Sequence, residues 1–152
     1  MVIIYNTLED GYDFNIKDRW GKGYHFKILT FEVPSGLESE AIEVVNEKDR
    51  EPYHFLVLNP YDTDIEHCER LLKEKIKDGI DKRYLRKRNG RLEICKSEML
   101  CGRIEWNDDF STMSFDTYFV VDGKKITMED FVALLQPYTG FQFQLSIKDP
   151  SD

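Results

Sequence analysis

Three histidines are the side chains best suited to chemistry near neutral pH, since imidazole titrates there unperturbed and also ligates metals. Two of them sit in matching phrases, "GYHFKIL" at residues 23 to 29 and "PYHFLVL" at residues 52 to 58. The echo has three readings: a duplicated unit, a two-histidine site, or two strands answering one physical requirement. Duplication is disfavoured because the match stops with the phrase, "TFEVPSG" following one copy and "NPYDTDI" the other. If an intervening strand pairs with both copies, they lie roughly 9 to 10 Å apart at the usual strand spacing. Two histidines sharing a zinc must each reach it at about 2.0 to 2.1 Å, so His25 and His54 are badly placed to do so. His25 alternates with Lys27 and is expected to be exposed. His54 alternates with Leu56 and Leu58, which makes it a core histidine or, in the sharper reading, the wall of a pocket. The third, His67, adjoins Cys68 on a predicted helix, where neighbouring side chains point in different directions. No metal site and no cofactor are expected.

A second chemical feature is the basic run "KRYLRKRNGR" at residues 82 to 91 of an otherwise acidic chain. Lys82, Arg83, Arg86, Lys87, Arg88 and Arg91 are the residues that would hold an anion or a nucleic acid, with Tyr84 available for stacking. The plainer reading is that cations collect at a helix C-terminus because the macrodipole favours them there, opposite Asp62, Asp64 and Glu66 at the other end. A nucleic-acid partner is not the expectation.

The carboxylates supply less. Asp108 with Asp109, and Asp62 with Asp64, are adjacent acids of the kind that serve turns and solubility, whereas acid–base pairs need environments that separate their pKa values. "DTDIEH" lacks the glycine that a calcium loop requires at its sixth position. "GKG" at 21 to 23 leads into a strand, not a helix, which excludes a dinucleotide loop. Nucleophile elbow, phosphate loop and paired zinc cysteines are all missing from the sequence.

These residues ride on recognisable elements. Tyr24 to Val33 is a strand, "VPSGLE" a turn, Ala41 to Val45 a second strand and Tyr53 to Leu58 a third, which suggests an antiparallel meander. "TDIE" at Thr63 to Glu66 has the form of a capping box, and Ile65, Cys68, Leu72, Ile76 and Ile80 then recur along one helical stripe. Short strands follow at Leu92 to Cys95, Cys101 to Trp106 and Thr117 to Val121. Asp122-Gly123 marks a tight turn. Thr127 and Asp130 repeat the capping logic, with Ile126 and Phe131 at the staple positions and Met128, Phe131, Val132 and Leu135 on one face. In "GFQFQLSIKD", Phe141, Phe143, Leu145 and Ile147 alternate with polar residues, predicting a half-buried strand. The sum is a single α+β domain over residues 1 to 152: a largely antiparallel sheet of six or seven strands, with one long and one short helix packed on one face.

At 152 residues a domain buries enough surface to hold a core without metal or disulfide. The N-terminus shows no basic leader and no stretch approaches the length of a spanning helix, so a soluble cytoplasmic protein with no membrane contact is expected. Cys68, Cys95 and Cys101 are read as reduced thiols. The formal charge of -8 argues against coating of nucleic acid.

"CGRIEW" at Cys101 to Trp106, "VVDGKKITMEDF" at Val120 to Phe131 and "YTGFQFQLSIKDPSD" at Tyr138 to Asp152 together carry a resemblance. They are similar to an uncharacterised family of small bacterial domains with G-R-I-E-W, D-G-K and G-F-x-F-x-L segments. That resemblance implies no activity, cofactor or catalytic residue. It directs attention to Arg103, Glu105 and Trp106, whose chemistry exceeds what a strand needs. On a strand, Arg103 and Glu105 share one face and Ile104 and Trp106 the other.

The sequence therefore supports a non-catalytic binding protein that engages another protein, or a second copy of itself, through a sheet face or edge. The competing expectations are a small hydrolase with a pocket near His54, and anion or nucleic-acid binding through residues 82 to 91.

Overall fold

The computed structural model describes residues 11–46, 50–106 and 116–152. Among these described residues, two α-helices and nine strands are arranged in α+β fashion, with the strands in three antiparallel sheets. A single sheet of six or seven strands does not form. The chain divides into two compact units, one comprising residues 1–46, 52–81 and 146–152, the other residues 47–51 and 82–145.

The first unit is built on four strands in sequential order, β1 (Tyr12–Lys17), β2 (Gly23–Val33), β3 (Gly36–Glu43) and β4 (His54–Asn59). Helix α1 (Ile65–Ile80) follows. Alternation decides which side of the sheet the helix covers. Tyr24, Phe26 and Ile28 project from one face of β2, opposite Ile16, Phe14 and Tyr12 of β1, and are buried with Ala41 beneath Leu72, Ile76 and Ile80 of α1. The predicted stripe of α1 is thus the buried one, apart from Ile65, which is exposed.

Several polar residues on this face are paired with one another. Ser39 meets the Thr30 hydroxyl at 2.8 Å, and the Glu69 carboxylate accepts hydrogen bonds from Thr30 at 2.7 Å and Tyr12 at 2.8 Å. Partial burial first, and then that bond to Glu69, push the Tyr12 hydroxyl well above its ordinary pKa. In the β1–β2 connection, the buried Asp18 carboxylate accepts the Trp20 and Lys22 amides and the Tyr24 hydroxyl, closing the loop around "GKG".

Strand β3 begins at Gly36, five residues before the predicted start, because its core-facing positions include Ser39 and Glu43 and so hide the alternation. The expected capping box at Thr63 to Glu66 is not made. Thr63 donates its own amide to the Pro60 carbonyl, Asp64 becomes the N-cap, and Glu66 falls at the second helical position, where the reciprocal bond is out of register.

The second unit consists of short pieces. Strands β5 (Leu85–Arg88) and β6 (Arg91–Ile94) form a hairpin, and β7 (Arg103–Trp106), β8 (Thr117–Val121) and β9 (Lys124–Thr127) form a three-stranded sheet. Asn89-Gly90 and Asp122-Gly123 turn with positive φ at both residues, as two-residue hairpins of matching twist require. The Asp122 carboxylate also accepts the Tyr84 and Leu85 amides, joining the start of β5 to the β8–β9 turn.

Helix α2 (Met128–Leu135) carries the full capping box between Thr127 and Asp130. Its buried side is Phe131 and Leu134, packed with Ile126, Val121, Leu85 and Ile94, and the Phe131 ring stacks on Phe119 at 4.7 Å. Met128, Val132 and Leu135, predicted to face the sheet with Phe131, are exposed. With only eight residues, the helix can press one narrow line of contacts onto a sheet this small.

Residues 82 to 91 are not the end of α1, which stops at Ile80 with Asp81 as its C-cap. Residues 85 to 91 make β5, its turn and the first residue of β6, so the macrodipole account of the basic run is overturned. The predicted last strand is likewise absent: residues 141 to 149 take no strand or helix conformation, and all are exposed.

Gly79 of α1 shows the packing at work. A Cβ added there would lie 2.4 Å from the Phe55 ring of β4. Helix propensity alone makes Gly79→Ala stabilising by about 1 kcal/mol, whereas overpacking of this kind costs about 1 to 3 kcal/mol. Urea unfolding should show Gly79→Ala less stable than the parent. The same change should become a gain in a Phe55→Leu background, and a gain in both backgrounds would refute the packing account.

Candidate interaction surface

The helix-free face of the four-stranded sheet holds both echo histidines. Strand β3 lies between β2 and β4, as the spacing argument supposed. Each histidine has its own carboxylate, His25 Nε2 at 2.7 Å from Asp13 and His54 Nε2 at 2.7 Å from Glu40. Asp13 also pairs with Lys27 at 2.8 Å, and its hydrogen bonds with Lys27 first and His25 next hold its carboxyl below the usual range. His54 is not a core residue, since the alternation that carries Phe55 and Val57 inward to the helix turns His54, Leu56 and Leu58 to the other side. Among the described residues, no three His, Cys, Asp or Glu side chains gather as they would around a metal ion.

The remaining chemical candidates are dispersed. Cys68 is fully buried in the α1 stripe, and burial pushes its thiol up in pKa. His67 turns away to hydrogen-bond Arg70. Asp62 and Asp64 are exposed at the start of α1, and Asp108 and Asp109 lie outside the described residues. Cys95 and Cys101 are free thiols.

On the β5–β6 hairpin, Arg86 pairs with Glu93 at 3.3 Å, and Arg88 stands directly across from Arg91. All four project from one face of the hairpin, while Leu85 and Ile94 are buried on the other. Lys87 is exposed at the midpoint of β5, and Lys82 and Arg83 precede the strand. Like charges directly opposite on a ladder are unfavourable, so the Arg88–Arg91 pairing is a local cost unless an anion lies near them.

Strand β7 is an edge of its sheet. Arg103 and Glu105 form an ion pair along it at 2.7 Å, and Ile104 and Trp106 emerge on the opposite side, each 57% exposed. Gly102, just before them, is fixed by close approach: a Cβ would sit 2.1 Å from the Val120 carbonyl oxygen. The glycine of the "GRIEW" segment therefore has a packing role, separate from any role of its neighbours.

Among the described residues, the most exposed run of large apolar side chains is one expected in the core. Phe141, Phe143, Leu145 and Ile147 are 63, 92, 74 and 71% exposed. The stretch is tethered at both ends. Tyr138 packs edge-on against Phe141 at 5.5 Å, and Lys75 Nζ donates to the Pro150 and Asp152 carbonyls at 3.0 and 2.8 Å as well as to that of Leu56. A core strand and an unpaired adhesive strand share one alternation, so only the missing neighbour distinguishes them.

One acidic group on the helix-free face gives a pH test. Burial first, and next the adjacent Glu40, hold the Glu38 carboxyl above its usual pKa. The folded state then keeps the proton after the unfolded state has lost it, so stability falls as pH rises from about 4.5 through the folded value. Glu38→Gln should be more stable than the parent at pH 7, with the difference shrinking toward pH 4. An equal or lower melting temperature at pH 7 would contradict this.

Residues 9–81 match the family described as Domain of unknown function (DUF7686), and residues 81–152 match Domain of unknown function (DUF7713). No curated protein and no solved structure matches the chain. The two matches meet at Asp81, the C-cap of α1, so each half of the chain is similar to a different domain of unknown function.

Proposed function

We propose that this protein is a non-catalytic interaction module, whose exposed apolar segment 141 to 147 engages another protein chain by strand addition. The observation that carries the reading is the segment itself. It has the period-two pattern of a strand with one apolar face, yet among the described residues it pairs with no strand and its apolar side chains are exposed. Exposed apolar runs of this kind mark interaction sites in soluble proteins. Edge strand β7, with Ile104 and Trp106 exposed beside the Arg103–Glu105 pair, adds apolar surface to the second unit, which holds residues 141 to 145. A hydrolase centred on His54 is the weaker reading, because His54 sits on an open face with a single carboxylate partner. A cytoplasmic setting and a bacterial source are compatible with this role. No helix of the described residues is long and apolar enough to cross a membrane.

Proximity capture from cell extract tests the reading. Partners recovered with the parent chain should be lost with Phe143→Asp/Leu145→Asp, changes at exposed positions that leave the melting temperature in place. Recovery indifferent to these changes would refute it.

Binding of an anionic partner by the β5–β6 hairpin is a second reading, favoured by Arg88 facing Arg91 with Arg86 alongside. It expects salt-dependent association with a short single-stranded RNA, abolished by Arg86→Ala/Arg88→Ala/Arg91→Ala. Binding that is unchanged by that triple variant, or no binding at low salt, removes it.

A further inference from the structure

We infer that the partner of segment 141 to 147 is the same segment of a second copy of this chain, the two pairing antiparallel across a two-fold axis centred on Gln144. The inference rests on the interaction reading above and specifies its occupant.

Self-pairing is favoured first by register. An antiparallel pair related by a two-fold axis places residue i opposite residue j with a constant sum. Centring on Gln144 sets Phe141 against Ile147, Phe143 against Leu145 and Gln142 against Ser146, with the reciprocal pairs on the other side. Every apolar side chain then meets an apolar one on a single face, and the amides and hydroxyls share the other. Centring on Phe143 leaves Ile147 against Thr139. Centring on Leu145 sets Phe141 against Asp149. Only the Gln144 register is free of such mismatches, with Lys148 falling opposite Gly140.

Charge points the same way. One third of the chain's residues are charged and the formal net charge is -8, so two copies repel over most of their surfaces. Residues 137 to 147, "PYTGFQFQLSI", carry no charge at all. A heterologous partner of complementary charge would find nothing to read in this stretch, whereas an identical neutral strand meets no penalty.

Area is the third argument. Four phenylalanines and four aliphatic side chains, largely exposed in the free chain, carry on the order of 1,200 Å² of surface, near the lower limit of a specific interface once the paired face is covered. A bare two-stranded ribbon is marginal in water. The exposed Ile104, Trp106, Met128, Val132 and Leu135 of the second unit, to which residues 141 to 145 also belong, supply further apolar surface.

Sedimentation of the purified full chain over about 1 to 100 μM tests the proposal, this being the affinity range of a contact of modest size. The parent chain should be a dimer at the upper end. Phe143→Asp should weaken the dimer at least about thirtyfold, as expected of a central anchor, while circular dichroism and melting temperature stay unchanged. In a Cys95→Ser/Cys101→Ser background, Gln144→Cys should form a disulfide with its own counterpart under mild oxidation, and Gln142→Cys should not. A chain that remains monomeric throughout, a dimer indifferent to Phe143→Asp, or equal crosslinking at 142 and 144 overturns it. If the purified chain is monomeric but capture from extract depends on Phe143, self-pairing falls while the interaction reading stands. If both fail, both are wrong.

Discussion

The fit between a period of two and a period of 3.6 governs the first unit. Tyr24, Phe26 and Ile28 recur every second residue along β2, Leu72, Ile76 and Ile80 recur every fourth along α1, and each set is dry only when it faces the other. A slip of one residue in the β1–β2 register would bring His25 and Lys27 to the helix and Phe26 to water. The turn chemistry of Asp18, the gap left by Gly79 for the Phe55 ring and the placement of Glu69 over Thr30 all presuppose this register. The aromatic-histidine-aromatic phrases are its signature. Each sends its Tyr and Phe toward α1 and its His to the other face, where a carboxylate on the adjoining strand receives it.

Much of that logic could be read from residue order. The stripe of α1, the Asp122-Gly123 turn, the Thr127–Asp130 cap and the strands around the two echoes follow from local chemistry, and the structure has them. What escaped were features set by distant neighbours or hidden by polar residues. Strand β1 is the exception, since Tyr12, Phe14 and Ile16 alternate plainly with Asp13, Asn15 and Lys17. Strand β5 was obscured because Arg86, Lys87 and Arg88 look like a solvated helix end, although Asn89-Gly90 announces a hairpin. The partition into sheets of four, two and three strands lies beyond local pattern, since alternation shows that a segment can pair and is silent about its partner.

The same limit explains the candidate surface. Residues 141 to 147 satisfy every local criterion for a sheet strand, and the sequence assigns them to the core for that reason. The structure gives them exposure and, among the described residues, no strand partner. Arg103, Glu105 and Trp106 were legible as a strand with split faces, which is how they sit, and the ion pair accounts for two of them within the fold. His54 was singled out for an apolar setting that the actual facing of β4 does not provide.

The tie made by Lys75 has a temporal consequence. Its partners Pro150 and Asp152 come 75 and 77 residues later in the chain, after everything that belongs to the second unit. On a ribosome, the four strands and α1 can assemble as soon as Ile80 is clear of the exit tunnel, with the Lys75 ammonium still hydrated on that side. The first unit therefore exists for a time in an unstrapped form. Its closure by residues 146 to 152 is a late event of synthesis, coming only after the second unit has been made.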